Sequence, residues 1–149
     1  NYMYLLKNIH LEYSNEMNQF INQKIDEFIR SIENTSNENN TSSDICQLFK
    51  NTQYINGYTI FITQLYNNGL MDSILLYFNK LTELIIVLDN NEQKKNLIES
   101  LFNIINSCTK SLLTSHDIAV FHTSINKIKS TSISNKSKFQ LMDILDLLK

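Results

Sequence analysis

Three histidines, two cysteines and a few closely spaced carboxylates are the side chains in this sequence whose types could carry chemistry. His116 and His122 are six residues apart. That spacing is about 240° around a helix, so one helix cannot turn both toward a shared metal as a four-residue spacing would. His10 has no comparable neighbour. Cys46 and Cys108 lack close-spaced partners, which argues against a metal or disulfide framework and for free core thiols in a reducing cytosol. Cys108 and His122 could in principle make a nucleophile–base pair, but nothing in the sequence orients the imidazole. Asp143 and Asp146 lie three apart on one helix face and resemble a carboxylate pair. No apolar pocket is implied that would raise either pKa, so solvating the outer side of the last helix is their simpler role. A phosphate-cradling loop needs several clustered glycines, and the chain has only Gly57 and Gly69. The expectation is a domain without catalytic residues, cofactor or metal.

Charge is more informative by region. Residues 93–138 hold seven lysines, Lys94, Lys95, Lys110, Lys127, Lys129, Lys136 and Lys138, against Glu99 and Asp117, a local +5 in a chain whose remainder carries −7. A solvated surface accounts for this, and so does an anionic partner, nucleic acid or an acidic protein face. The segment has no arginine and few aromatics to interleave between bases, so base-specific readout is not suggested.

The elements that would carry these residues follow from composition and periodicity. The 149 residues suffice for one self-supporting core, and 42% hydrophobic with 19% charged is a globular balance. There is no proline and there are two glycines, too few for the tight turns of a sheet protein of this size. Residues 51–71 are uncharged but rich in Asn, Gln and Thr, which does not suit a membrane span. No signal-peptide pattern opens the chain. The acceptor sequons at Asn34, Asn40 and Asn135 read as accidents of an Asn-rich composition.

Met17, Ile21, Ile25, Phe28 and Ile32 recur at three- and four-residue steps, predicting a first helix that ends before a mobile polar loop at 34–43. A second helix is expected over 44–68, with a break possible near Gly57 and with Tyr58, Phe61, Ile62, Leu65 and Tyr66 inward; Gly69 would stop it in the left-handed conformation. The stretch 71–88 is apolar nearly all round and should lie between neighbours. Leu97, Leu101, Ile104, Ile105, Cys108 and Leu112 mark a further stripe, then Ile118, Phe121, Ile125 and Ile128. Phe139, Met142, Ile144, Leu145 and Leu148 mark the last. Short connections make the helices antiparallel neighbours, and stacked hairpins in a solenoid follow, with a compact bundle as the competing arrangement. Phe61, Leu65, Phe78, Leu81, Leu101, Ile105, Phe121 and Phe139 are expected between helical layers.

Two segments carry a resemblance. Residues 57–66, Gly-Tyr-Thr-Ile-Phe-Ile-Thr-Gln-Leu-Tyr, and 134–147, Ser-Asn-Lys-Ser-Lys-Phe-Gln-Leu-Met-Asp-Ile-Leu-Asp-Leu, resemble the middle domain of the translation-initiation scaffold factor 4G. Gly57, Phe61, Ile62, Leu65 and Tyr66 fit the family's first pattern. Lys136, Lys138, Phe139, Leu141, Asp143, Leu145, Asp146 and Leu147 fit the second, and Glu99, Leu101, Lys110 and Leu112 fall between them in register. The likeness covers roughly 50–149. Thr63 and Gln64 stand where the family has Gly and Glu, and lysines replace two arginines, which removes bidentate contacts.

The resemblance implies an all-α fold of antiparallel helical hairpins stacked as a HEAT-type solenoid. Residues 1–149 would form one helical-repeat domain, a fragment of a longer middle domain. It implies a cytoplasmic, monomeric, non-catalytic scaffold that binds a DEAD-box RNA helicase of the factor 4A type, with RNA as a second partner. The partner-binding residues expected are Lys127, Lys129, Lys136 and Lys138. The alternative is a compact helical protein of the viral cell-death-regulator type that binds an amphipathic partner helix.

Overall fold

The computed structural model describes residues 2–38 and 44–149, with the side chains of 2–34 and 51–149. Six helices run through them: α1 (Tyr2–Glu38), α2 (Asp44–Asn67), α3 (Leu75–Val87), α4 (Asn91–Ser107), α5 (Ser115–Lys129) and α6 (Asn135–Leu147), with a single 3₁₀ turn at Lys110–Leu112. The described residues contain no strand. The protein is all-α.

Local chemistry explains most of the helix ends. Gly69 has φ +75° and receives the end of α2. Its N–H donates to the Tyr66 carbonyl at 3.0 Å and the Leu70 N–H to the Leu65 carbonyl at 2.9 Å, the paired bonds of a left-handed glycine stop. Leu70 and Leu65, the two residues of that stop that are apolar in such motifs, are both buried in the core. Asn90 caps α4 by accepting from the Gln93 N–H at 3.0 Å. Thr114 and Asp117 cap α5 reciprocally, and Ser134 caps α6 by accepting from the Ser137 N–H at 3.2 Å.

Several boundaries differ from the sequence expectation. α1 passes Asn34 and continues to Glu38, while 39–43 of the expected loop lie outside the described residues. Within α1, Tyr13 leaves helical geometry at φ −131°, ψ 46° and bends the element. Gly57 does not interrupt α2. Residues 71–74 are not helical, and α3 starts only after the Ser73 hydroxyl has accepted from the Leu75 N–H at 3.1 Å. Cys108 closes α4 rather than continuing it, and Leu112 is exposed in the 3₁₀ turn.

The helices pair in two rows. α1 packs on α3 and α3 on α5; α2 packs on α4 and α4 on α6; contacts of α3 with α4 and of α5 with α6 join the rows. Polar pins follow the same pairing. Asp26 and Lys80 tie α1 to α3 at 2.6 Å, Ser124 donates to Asn79 between α5 and α3 at 3.3 Å, and Asn96 donates to Thr52 between α4 and α2 at 2.9 Å. The ion pair is half solvated and contributes little, on the order of 0–1 kcal/mol.

The core is mostly apolar and runs the length of the rows. Phe28 of α1 stacks on Tyr58 of α2 with ring centroids 4.0 Å apart, and Phe78 of α3 meets Phe121 of α5 at 4.5 Å. Buried hydroxyls are satisfied locally: Thr63 donates to the Thr59 carbonyl at 2.8 Å and Thr82 to the Phe78 carbonyl at 3.0 Å. Of the eight expected core residues, Leu65, Phe78, Leu81, Leu101, Ile105 and Phe121 are buried. Phe61 and Phe139 are not, at 38% and 66% exposed. On α2 the inward stripe runs Ile55–Thr59–Ile62–Tyr66, which leaves Phe61 to one side. On α6 it runs Ser137–Leu141–Ile144, which puts Phe139 and Met142 outward.

Removing the Phe78 ring should empty a closed site between α3 and α5. Phe78→Ala is expected to cost about 3–5 kcal/mol in chemical denaturation. Tyr77→Phe, which deletes only the hydroxyl bound to Thr59 at 2.9 Å, should cost about 1 kcal/mol.

Candidate functional site

The four lysines named from the sequence gather at one turn. Lys127 and Lys129 occupy the last turn of α5, where cations favour the negative end of the helix dipole. Lys136 and Lys138 occupy the first turn of α6, where the dipole disfavours them. All four are exposed, and no side-chain hydrogen bond or ion pair engages any of them among the described residues. The other lysines of the basic segment are occupied. Lys95 pairs with Glu92 at 3.1 Å, and Lys110 reaches the Leu147 carbonyl at 3.4 Å at the end of α6.

Lys94 is a residue the charge pattern did not single out. It is buried on α4 and its ammonium donates to the Ser132 carbonyl at 3.0 Å. It thereby fixes the 130–134 turn that spaces the two lysine pairs. The Ser130 and Thr131 hydroxyls tighten the same turn by donating to the Lys127 and Ile128 carbonyls, each at 2.7 Å. Phe139 and the 49%-exposed Met142 stand on the outer face of α6 beside this basic turn. The surface thus combines unpaired cations with an apolar strip. The i, i+4, i+7 spacing of Ser137, Leu141 and Ile144 was the signal for it, obscured by the serine.

The chemical candidates stand apart from this surface. Asp143 and Asp146 are exposed, and Asp146 pairs with Lys149 at 2.7 Å. His116 is exposed, and His122 makes no hydrogen bond to Cys108 among the described residues. The side chain of Cys46 lies outside the described residues. Cys108 is buried at the end of α4. Burial first, then the negative charge of Asp117, pushes its thiol up to about 12. That is opposite to the shift an attacking thiolate needs.

A second residue missed in the sequence sits at the end of α2. Asn67 donates from its side-chain amide to the Ser107 carbonyl at 2.9 Å and accepts from the Thr109 N–H at 2.8 Å. Tyr66 adds a bond from its hydroxyl to the Leu112 carbonyl at 2.9 Å. Together they hold the connector between α4 and α5, so the cap of α5 and the lysines at its far end keep their place.

Among the described residues no cluster of His, Cys, Asp or Glu could hold a metal ion. No helix among them is long and apolar enough to cross a membrane. Comparisons with protein-family models, curated proteins and solved structures return no match.

The raised thiol has a stability consequence. Its folded value, about 12, lies above the ordinary 9.0. The native state therefore holds the proton more tightly, and the contribution is complete below 9.0 and lost as pH rises toward 12. Tyr58, pushed up to about 12 mainly by burial, acts the same way above 10.0. Urea midpoints should fall progressively through this alkaline window, and Cys108→Ala in a Cys46→Ser background should flatten the lower part of the fall. In the Cys46→Ser chain, Cys108 should resist a thiol reagent at neutral pH until urea unfolds the protein.

Proposed function

We propose that this chain is a cytoplasmic scaffold domain, a HEAT-type stack of helical hairpins that docks a DEAD-box RNA helicase of the factor 4A type in translation initiation. It performs no chemistry of its own. One observation carries the reading. The helices pair two apart in alternating rows, as stacked hairpins do, and the segment resembling factor 4G forms α6, whose first-turn lysines are left without partners.

In this reading the basic turn and the outer strip of α6 meet an acidic face of the helicase. Lys127 and Lys129 contribute from α5, and RNA is a second contact. A stiff surface that fits the helicase only when its two lobes are suitably arranged raises the population of that arrangement. The pinning of the 130–134 turn by Lys94 supplies the stiffness.

A second reading keeps some support. α3 is buried against α1, α4 and α5, and α1 and α2 leave an apolar groove between them. Those features also suit a compact bundle of the cell-death-regulator type, with the groove receiving an amphipathic helix. Small-angle scattering separates the two: the stack gives a pair-distance distribution with a long tail, the bundle a symmetric one.

The scaffold reading is tested by a coupled ATPase assay with a factor 4A-type helicase and RNA. The chain is expected to raise the helicase rate and to show no turnover alone. Lys136→Glu with Lys138→Glu should weaken helicase binding about tenfold or more through like-charge repulsion. If RNA phosphate is contacted directly, the same double variant should also flatten the salt dependence of single-stranded RNA binding. A well-folded chain that neither binds nor stimulates the helicase would end the proposal.

A further inference from the structure

The two ends of the helical rows are unlike in charge and alike in exposing apolar side chains. At the α1–α2 end, the groove of about 550 Å³ is lined almost wholly by apolar and aromatic residues, among them Met17, Phe20, Tyr58 and Phe61. The bend at Tyr13 carries the first part of α1 along its edge. The charged residues lining it are Glu16 and Lys24. Lys24 is neutralised by Glu27 at 2.7 Å, whereas Glu16 has no ion-pair partner among the described residues; beyond the bend at Tyr13 the same edge carries exposed Glu12 and Lys7. The groove is therefore apolar, with one net negative charge along its α1 edge and its two free carboxylates, Glu12 and Glu16, on either side of the bend.

At the α5–α6 end, Phe139 and Met142 are exposed on α6, and the turn before that helix is flanked by Lys127 and Lys129 on one side and Lys136 and Lys138 on the other, all exposed and unpaired among the described residues. The acids of that end lie toward the C-terminal half of α6, and Asp146 is already tied to Lys149. Each end thus offers what the other lacks: an apolar recess with free carboxylates, and an apolar ridge with free ammonium groups.

The row pairing supplies a geometry for joining them. Inside the molecule α1, α3 and α5 follow one another, and so do α2, α4 and α6. Continuing both rows sets α5 against α1 and α6 against α2 of another copy. We infer that this chain self-associates head to tail, the α5–α6 ridge of one copy seating in the α1–α2 groove of the next. Such a contact uses two different surfaces, so it grows into open chains unless its rotation closes a ring. It also covers the lysine turn, so assembled and free chains differ in whether that turn is open to an acidic partner. The inference does not depend on the identity of any such partner.

Sedimentation equilibrium with three proteins, and no helicase or RNA, tests it. The unaltered chain is expected to gain weight-average mass with concentration, beyond the mass of a dimer. Phe61→Asp blocks the groove and Phe139→Asp the ridge, so each variant alone should stay monomeric from micromolar to millimolar concentration. Their equimolar mixture should stop at two chains, one free ridge meeting one free groove. Unaltered chain that remains monomeric overturns the inference. So does Phe139→Asp dimerising alone, which would mean groove meeting groove, or a mixture that stays monomeric. Should Phe61→Asp lower the melting temperature, Glu12→Lys with Glu16→Lys takes its place at the α1 edge. That charge-reversed groove should reject the unaltered ridge and accept the Lys136→Glu, Lys138→Glu ridge, and acceptance of neither or both equally overturns the inference.

Discussion

The arrangement of this molecule depends on one short helix, α3, whose apolar surface is too broad for a single neighbour to cover, with the strip Leu76, Lys80, Glu83 and Val87 left toward water. α3 places Tyr77 and Phe78 at adjacent positions, about 100° apart on the helix, and both are fully buried. Tyr77 meets α2 through the Thr59 hydroxyl and the ring of Tyr58, and Phe78 meets α5 through Phe121. Leu81, Leu84 and Ile85 complete the enclosure. A helix covered on so many sides requires neighbours on each of them, and α1, α4 and α5 are those neighbours. Burying a side chain of this size contributes about 1.5–3 kcal/mol, so the alternatives that expose α3 lie far above the observed one.

Polar side chains then set the spacing that apolar packing leaves loose. Asn67 reads the backbone of the α4–α5 connector with both ends of its amide, and Lys94 holds the α5–α6 turn from below. Each amide bond of Asn67 contributes about 1 kcal/mol net, and the charged bond of Lys94 about 1.5–3 kcal/mol. What they fix is the position of the lysines relative to the rows. Connectors of seven residues (108–114) and five residues (130–134) would otherwise sample many conformations, and the basic groups would spread with them.

How much of this was legible in the sequence varies with the physical signal. The all-helical class followed from the missing prolines and scarce glycines, and the stop at Gly69 from the need for a left-handed residue after α2. The apolar run 71–88 marked its helix for burial because it is apolar nearly all round, with Asn79, Lys80 and Glu83 on one narrow side. The start of α3 did not, since Met71 and Ile74 are buried without being helical and hydrophobicity reports burial, not backbone angle. Phe139 was misplaced for a related reason. A small serine, Ser137, takes the core position, and the phenylalanine two places on is the larger apolar side chain that pattern reading picks instead. Lys94 was hidden among other lysines, as charge alone cannot say which ammonium lies under a turn. The exposure of the four site lysines was legible; that the other basic side chains of the segment are engaged with carbonyls or a carboxylate was a matter of three-dimensional contact.

The alternation of the rows has a consequence for how the molecule breathes. The principal helix pairings join elements no more than two apart in the chain, so no contact has to bridge the whole chain, which keeps the entropic barrier to folding moderate. α3 and α4 are gripped from both directions, whereas the elements at either extremity are gripped from one. Openings that shed an outer layer are therefore cheaper than openings that release the middle. Amide protons in α1 and α6 are expected to exchange through smaller local openings than those of α3 and α4. Rigidity here is graded, greatest in the centre and least at the two surfaces where encounter with another molecule takes place.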